Sequence, residues 1–307
     1  MKKIIEYCKE IYKFITEKIW KMPAEQQDKN FLIRLIMVIY LAITRYIKDE
    51  LAVRASALTY YTIFAVVPFL CLIIGIGKHF GVQHYIESEL ILMFPGQEEM
   101  LIHAFEIVDS YLMQIHGGFL LVAVILLLWT LYGVVTQVEV AFNNIWRVHQ
   151  NRKIYYRVGG LLLMMVLFPI FLFVSGVVSI YMNTTLSSLN IFLKPVWNNI
   201  LELFPSFINV ILLLMLYLVM PKTKVRFVPA FIGALLAGIV LAVFQQLYIS
   251  GQIWVAHYNA IYGSFAAIPL LLLWLQFSWM IILVGAELSH CIQNRHNLGK
   301  EIVADNK

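Results

Sequence analysis

The chain has 307 residues, of which 61% are apolar and 13% charged, and its mean hydropathy is +0.79. An average soluble domain is about 25% charged, so this composition excludes a soluble globular domain. The formal net charge of +5 is read as loops facing anionic lipid, not as a nucleic-acid footprint.

At the N-terminus, Ile4, Cys8, Ile11, Tyr12, Ile15 and Ile19 fall on one helical face, with lysines and glutamates on the other. Phe31–Ile47 follows a break near Pro23. Its densest apolar part, Phe31–Ile43, contains Arg34 and is shorter than the roughly 20 residues that a spanning helix needs. The two segments are expected to be cytoplasmic amphipathic helices lying on the membrane surface; packing on the protein's own loops is the other reading. The N-terminus lacks the apolar core and small-residue cleavage site of a signal peptide, so no leader is expected.

Six long apolar runs come next: Ala55–Gly77, Phe119–Val140, Val158–Tyr181, Phe204–Met220, Val228–Ile249 and Phe265–Ala286. Each suits a helix crossing about 30 Å of hydrocarbon. Open strands are ruled out because lipid cannot satisfy their backbone groups. The segments between the runs hold lysine and arginine alternately: 21 of the 23 fall on one side, and only Lys78 and Lys194 on the other. The positive-inside rule puts the rich side, with both termini, in the cytoplasm. The expected fold is an all-α polytopic membrane protein of six transmembrane helices. Its expected parts are cytoplasmic N-terminal helices over residues 1–54, a spanning domain over 55–290, and a cytoplasmic tail over 291–307. Cys8, Cys71 and Cys291 then fall in cytoplasm, bilayer and cytoplasm, so no exported disulfide is implied.

The first external segment, about residues 78–118, is acidic, with Glu87, Glu89, Glu98, Glu99, Glu106 and Asp109 against Lys78. Apolar residues recur at helical spacing on both sides of Pro95-Gly96, and Leu101, Phe105, Val108 and Leu112 share a face. A helical hairpin against the bundle is expected, and its acidic face is a candidate dock for envelope proteins. Its histidines form no H-x-H or H-E-x-x-H pattern, and no metal or cofactor is expected. The last external segment, Ser250–Ser264, carries Trp254, His257, Tyr258, Asn259 and Tyr262. It reads either as an aromatic belt or as the rim of a substrate path.

Ionisable groups in spans are costly and normally face the bundle interior or water. Arg54 enters the first run, Glu139 leaves the second and Glu287 leaves the sixth, all at one depth. An Arg54–Glu139–Glu287 cluster is the expectation, acting either as a structural lock or as a gate. No Lys, Arg or Asp sits at a run's midpoint, which argues against a charged filter and leaves room for an amphiphile. Pro68, Pro169 and Pro269 mark breaks that either kink a packed helix or line a cavity.

The first run reads ALTYYTIFAVVPFL, the second ends EVAFNNIWRV, and the last reads IYGSFAAIPLLLLWLQFSWMIILVGAEL. In these stretches the chain resembles the YihY/BrkB family of bacterial inner-membrane proteins over about residues 50–290. The matching positions are Tyr60, Pro68, Asn143, Trp146, Pro221, Tyr262, Gly263, Trp274, Gly285, Ala286 and Glu287, and the pattern also tolerates an acid at Glu139. The resemblance implies six spans with both ends in the cytoplasm. It also carries an old ribonuclease BN label, against which the residues speak. A metal nuclease needs clustered carboxylates and histidines facing water, whereas Asp28, Asp49, Asp109 and Asp305 are the only aspartates and lie scattered. The family's links to envelope integrity and resistance imply a transporter or flippase of an amphiphilic envelope component. The alternative is a non-catalytic scaffold in envelope biogenesis. Candidate path residues are Arg54, Tyr60, Glu139, Asn143, Trp146, Tyr262 and Glu287, with membrane lipids as partners and no nucleic acid.

Overall fold

The computed structural model describes residues 31–93, 98–114, 117–148, 207, 209–257 and 267–305, and every regular element among them is helical. The expected helix at Ile4–Ile19, the third apolar run Val158–Tyr181 and Tyr262 lie outside the described residues. In chain order the helices are α1 (Phe31–Lys48), α2 (Leu51–His79), α3 (Gln83–Met93), α4 (Glu98–Gln114) and α5 (Gly117–Ile145). They are followed by α6 (Asn209–Val219), α7 (Phe227–His257) and α8 (Ala267–Asp305). Two of these contain stretches long and apolar enough to cross a membrane, Phe227–Gly251 in α7 and Pro269–Arg295 in α8. Helices α2 and α5 are 29 residues each, or about 43 Å at 1.5 Å per residue. Helix α2 continues through Pro68, and Pro269 stands in the first turn of α8, where a missing N–H costs nothing.

Helices α7 and α8 form the most extensive contact. Lipid offers no hydrophobic drive for two apolar helices to associate, so small residues that let the backbones approach decide where they cross. Ala230, Ala234 and Ala237 of α7 and Ala286 of α8 are buried. A Cβ on Gly233 would stand 2.5 Å from the Gly285 carbonyl, so only glycine fits there. Helix α6 fills the seam, with Tyr217 donating its hydroxyl to the Ile282 carbonyl at 2.7 Å. The Phe142 ring of α5 lies 5.9 Å from that tyrosine, joining α5 to the same core.

Helices α2 and α8 are stitched by side-chain hydrogen bonds. Thr59 donates to Gln276 (3.3 Å), Gln276 to the Ala52 carbonyl (3.2 Å) and Trp279 to Thr62 (3.0 Å). Much of the polar inventory that the sequence places in these two helices is therefore used in helix pairing.

Helix α1 packs Met37, Val38 and Leu41 against Cys291 and Leu298 of α8 and leaves Leu35, Ile39, Ile43 and Ile47 exposed along another edge. It is both docked on the protein and apolar outward. The segment expected as a tail continues α8 past a non-helical Asn294 and supplies half of this contact.

At the other end of α2, Gly81 takes a φ of +71°, which L side chains rarely adopt. Val82 N–H bonds the Gly77 carbonyl there at 2.8 Å, and the chain turns into α3. The expected hairpin is formed by α3 and α4. Phe105 and Val108 pack with Leu90 on Leu70 and Ile74 of α2, fixing it against the end of the bundle.

Candidate functional site

The arginine- and lysine-rich end of the bundle gathers the α1–α2 turn, the end of α5, the α6–α7 turn and the middle of α8. At its centre Glu287 is fully buried. Arg45 Nη1 donates to Glu287 Oε1 at 3.4 Å and to His290 Nδ1 at 2.8 Å. Arginine has no acceptor, so His290 Nδ1 must be the bare nitrogen and its proton sits on Nε2. Cys291 Sγ lies 3.5 Å from Glu287 Oε1. Asp49 Oδ2 is 3.9 Å from Arg45 Nε. Burial first, and then the Glu287 charge, raise the Asp49 carboxyl above its ordinary 3.8, while Arg45, Arg147 and Arg54 pull it down. The Trp146 indole packs edge-on against His290, with ring centres 4.9 Å apart. Glu287 Oε2, Arg45 Nη2 and Ser289 Oγ are buried without a hydrogen-bond partner among the described residues.

Helix periodicity builds this cluster. Arg45 follows Met37 and Leu41 at intervals of four, so it lies on the buried face of α1. His290 and Cys291 stand three and four places after Glu287 and share its face. Trp146 is held by the cap of α5. Its N–H bonds the Phe142 carbonyl at 3.0 Å, Val148 N–H bonds the Asn143 carbonyl at 2.8 Å, and Arg147 takes the left-handed turn at φ +53°.

The expected Arg54–Glu139–Glu287 cluster is assembled differently. The cation beside Glu287 is Arg45, from an element read as lying on the membrane surface. Arg54 instead donates Nε to the Asp49 carbonyl at 2.9 Å. Glu139 is buried and belongs to a second group: Asn143 Nδ2 reaches Glu139 Oε1 at 3.5 Å, and Asn143 Oδ1 accepts the Lys222 N–H at 2.9 Å. That pair ties α5 to the α6–α7 turn. Tyr60 is exposed, lies with its ring tilted against Phe64, ring centres 4.6 Å apart, and does not join either group. Arg45, Asp49, His290 and Cys291 went unselected in the sequence. The legible signal was an arginine in register with the apolar face of α1.

Among the described residues, two grooves are of interest. The first, about 200 Å³, runs between α2 and α5 beside Arg54 and is lined by Glu50, Val53, Ala57, Gln137 and Val140. The second, about 300 Å³, lies between α3 and α4, with His84, Glu87, Glu106 and Asp109 on its walls. Lys78 pairs with Asp109 at 3.4 Å, and Gln83 bridges Glu87 and Asp109 at 2.7 and 3.1 Å. No group of three metal-ligating side chains occurs among the described residues.

Comparison with known proteins gives the family. The family described as virulence factor BrkB matches residues 42–307. A UPF0761 membrane protein of Chlorobium luteolum is 31% identical over 258 residues, covering 82% of this chain and 59% of the relative. One from Chlorobium chlorochromatii is 26% identical, covering 84% and 60%. A third, from Pseudoalteromonas translucida, is 29% identical, covering 81% and 84%. The chain thus spans about three-fifths of the length of the two Chlorobium relatives. No solved structure matches. With two long apolar helices in an all-helical bundle and relatives named as membrane proteins, the chain is a membrane protein that belongs to the virulence factor BrkB family.

Proposed function

We propose that this protein moves an amphiphile, a lipid or lipid-linked envelope component, within the bacterial inner membrane, as a transporter and not an enzyme. The observation that carries the reading is the α2–α5 groove. Its walls include exposed Val53 and Val140, and a guanidinium stands at its end. Apolar side chains beside the charged groups of Arg54 and Glu50 suit a molecule with acyl chains and a charged head. The test is reconstitution into vesicles containing a fluorescent phospholipid, with a membrane-impermeant quencher added outside. The protein should let label from the inner leaflet become quenched faster than in empty vesicles, and Arg54→Gln should slow it. Equal rates with and without protein would defeat the proposal.

The orientation in this reading has six spans with both termini cytoplasmic, and the arginine-rich end facing the cell interior. In a background without native cysteines, single cysteines at Gln97, Asn190 and Gln252 should react with an impermeant thiol reagent in intact cells. Those at Gln150, Thr223 and Asn297 should be protected. Protection at Gln252 with labelling at Asn297 would overturn the orientation.

A scaffold in envelope biogenesis is the second reading. It is favoured by the α3–α4 hairpin, where Leu92, Ile102 and Ile107 are exposed beside Glu106 and Asp109, an arrangement suited to a partner protein.

A further inference from the structure

We infer that the α2–α5 groove reads a zwitterionic, primary-amine phospholipid headgroup, with Arg54 and Gln137 taking the phosphate and Glu50 taking the ammonium. This rests on the amphiphile reading above and names the class of molecule. Three observations carry it. First, Glu50 and Arg54 line one groove and are one backbone turn apart, the Arg54 N–H bonding the Glu50 carbonyl at 3.1 Å. Glu50 stands just before α2 at a positive φ, outside the helical i, i+4 geometry that brings opposite charges together, and no ion pair joins it to Arg54. Second, Arg54 is fixed by its backbone surroundings and the Glu50 side chain is open to a ligand. Arg54 is anchored through Nε to the Asp49 carbonyl at 2.9 Å, which occupies one donor and leaves the terminal amino groups of its fork for a ligand. Glu50 takes φ +50°, a conformation strained for a residue with a side chain, and its side chain is exposed. Third, Gln137 contributes an amide from the facing helix with no hydrogen-bond partner among the described residues.

The chemistry then selects the occupant. A phosphodiester is an acceptor that a guanidinium and an amide both satisfy. A lone phosphate would be repelled by Glu50. A headgroup carrying an ammonium on a short link answers both charges, while Val53, Ala57 and Val140 accept the start of the acyl chains. A trimethylated amine has no N–H for the carboxylate, and an anionic glycerol headgroup has no cation for it.

The full chain, purified in detergent, is titrated with dioleoyl phosphatidylethanolamine, phosphatidylcholine or phosphatidylglycerol, and retained lipid is measured by native mass spectrometry. The ethanolamine lipid should bind about tenfold more tightly than the other two, as one charge-assisted hydrogen bond warrants. Glu50→Gln should abolish that preference by lowering retention of the ethanolamine lipid to the level of the other two. Glu50→Gly, which also removes the backbone strain, should do the same in a protein that folds at least as well. Arg54→Gln should weaken the retention of all three. Soluble phosphoethanolamine should fail to displace the lipid; displacement would show that the head alone suffices and would overturn the commitment to a lipid. An unchanged preference in both Glu50 variants would overturn the headgroup assignment. Selective binding without lipid movement in vesicles would leave this site standing and defeat transport. Movement without headgroup preference would do the reverse.

Discussion

Gly285→Ala is expected to leave little folded protein in the membrane. A Cβ at this position would collide with the Tyr217 hydroxyl, would stand 2.6 Å from the Ala237 Cβ and 3.1 Å from the Gly233 carbonyl. Two of these three neighbours belong to α7, and the third belongs to a fully buried tyrosine already hydrogen-bonded to Ile282. None is the free end of a flexible chain, so relief requires the α7–α8 crossing to open. Overpacking of this kind costs about 3 kcal/mol or more, which lowers the folded-to-unfolded ratio by roughly a hundredfold. Gly251→Ala is the control. Nothing lies within 4 Å of its added carbon, and alanine is favoured over glycine in a helix by about 1 kcal/mol. Fluorescence-detected size exclusion of tagged protein should show the monodisperse peak lost for Gly285→Ala and kept or raised for Gly251→Ala. Equal peaks for the two variants would mean that the crossing is looser than described.

Arg45→Met should destabilise the protein by about 3–5 kcal/mol, because it strands Glu287 as a buried charge without its cation. Glu287→Met should be similarly harmful by stranding Arg45. The double variant Arg45→Met/Glu287→Met should recover most of the loss, since a buried ion pair contributes little once its desolvation is counted and apolar replacements of similar volume fill the space. Arg54→Gln should cost only about 1 kcal/mol, the value of one hydrogen bond to a carbonyl. Thermal unfolding of the four purified variants decides the matter. If Arg54→Gln falls as far as Arg45→Met, the pairing of Glu287 is misassigned. If the double variant is as unstable as either single one, the cluster is not a simple ion pair and its orphaned polar atoms carry more of the structure. Should the double variant be stable yet fail to complement a deletion strain, the charges serve function beyond the fold.

The helices and the hairpin were legible in the sequence because both rest on local periodicity. Apolar runs of spanning length mark the long helices, and the spacing of Phe105 and Val108 marks the buried face of α4. The small residues at Gly285 and Ala286 were visible in the motif that carries the family resemblance, but not what they touch. The charged site was half legible. An isolated carboxylate such as Glu287 after a long apolar run announces a partner, because burial without one is too costly. Which partner it takes was not legible, since depth alone leaves Arg54 and Arg45 both eligible.

The sequence by itself determined the helical class, the membrane setting, the segregation of basic residues and the two buried acids, all consequences of what hydrocarbon tolerates along one chain. Tertiary structure alone decided that α1 docks on the extension of α8. That contact turns Arg45 inward onto Glu287 and His290 and leaves Arg54 in the groove with Glu50. The reason is that helical periodicity fixes which residues share a face, but only packing between segments some 240 positions apart fixes which face meets which.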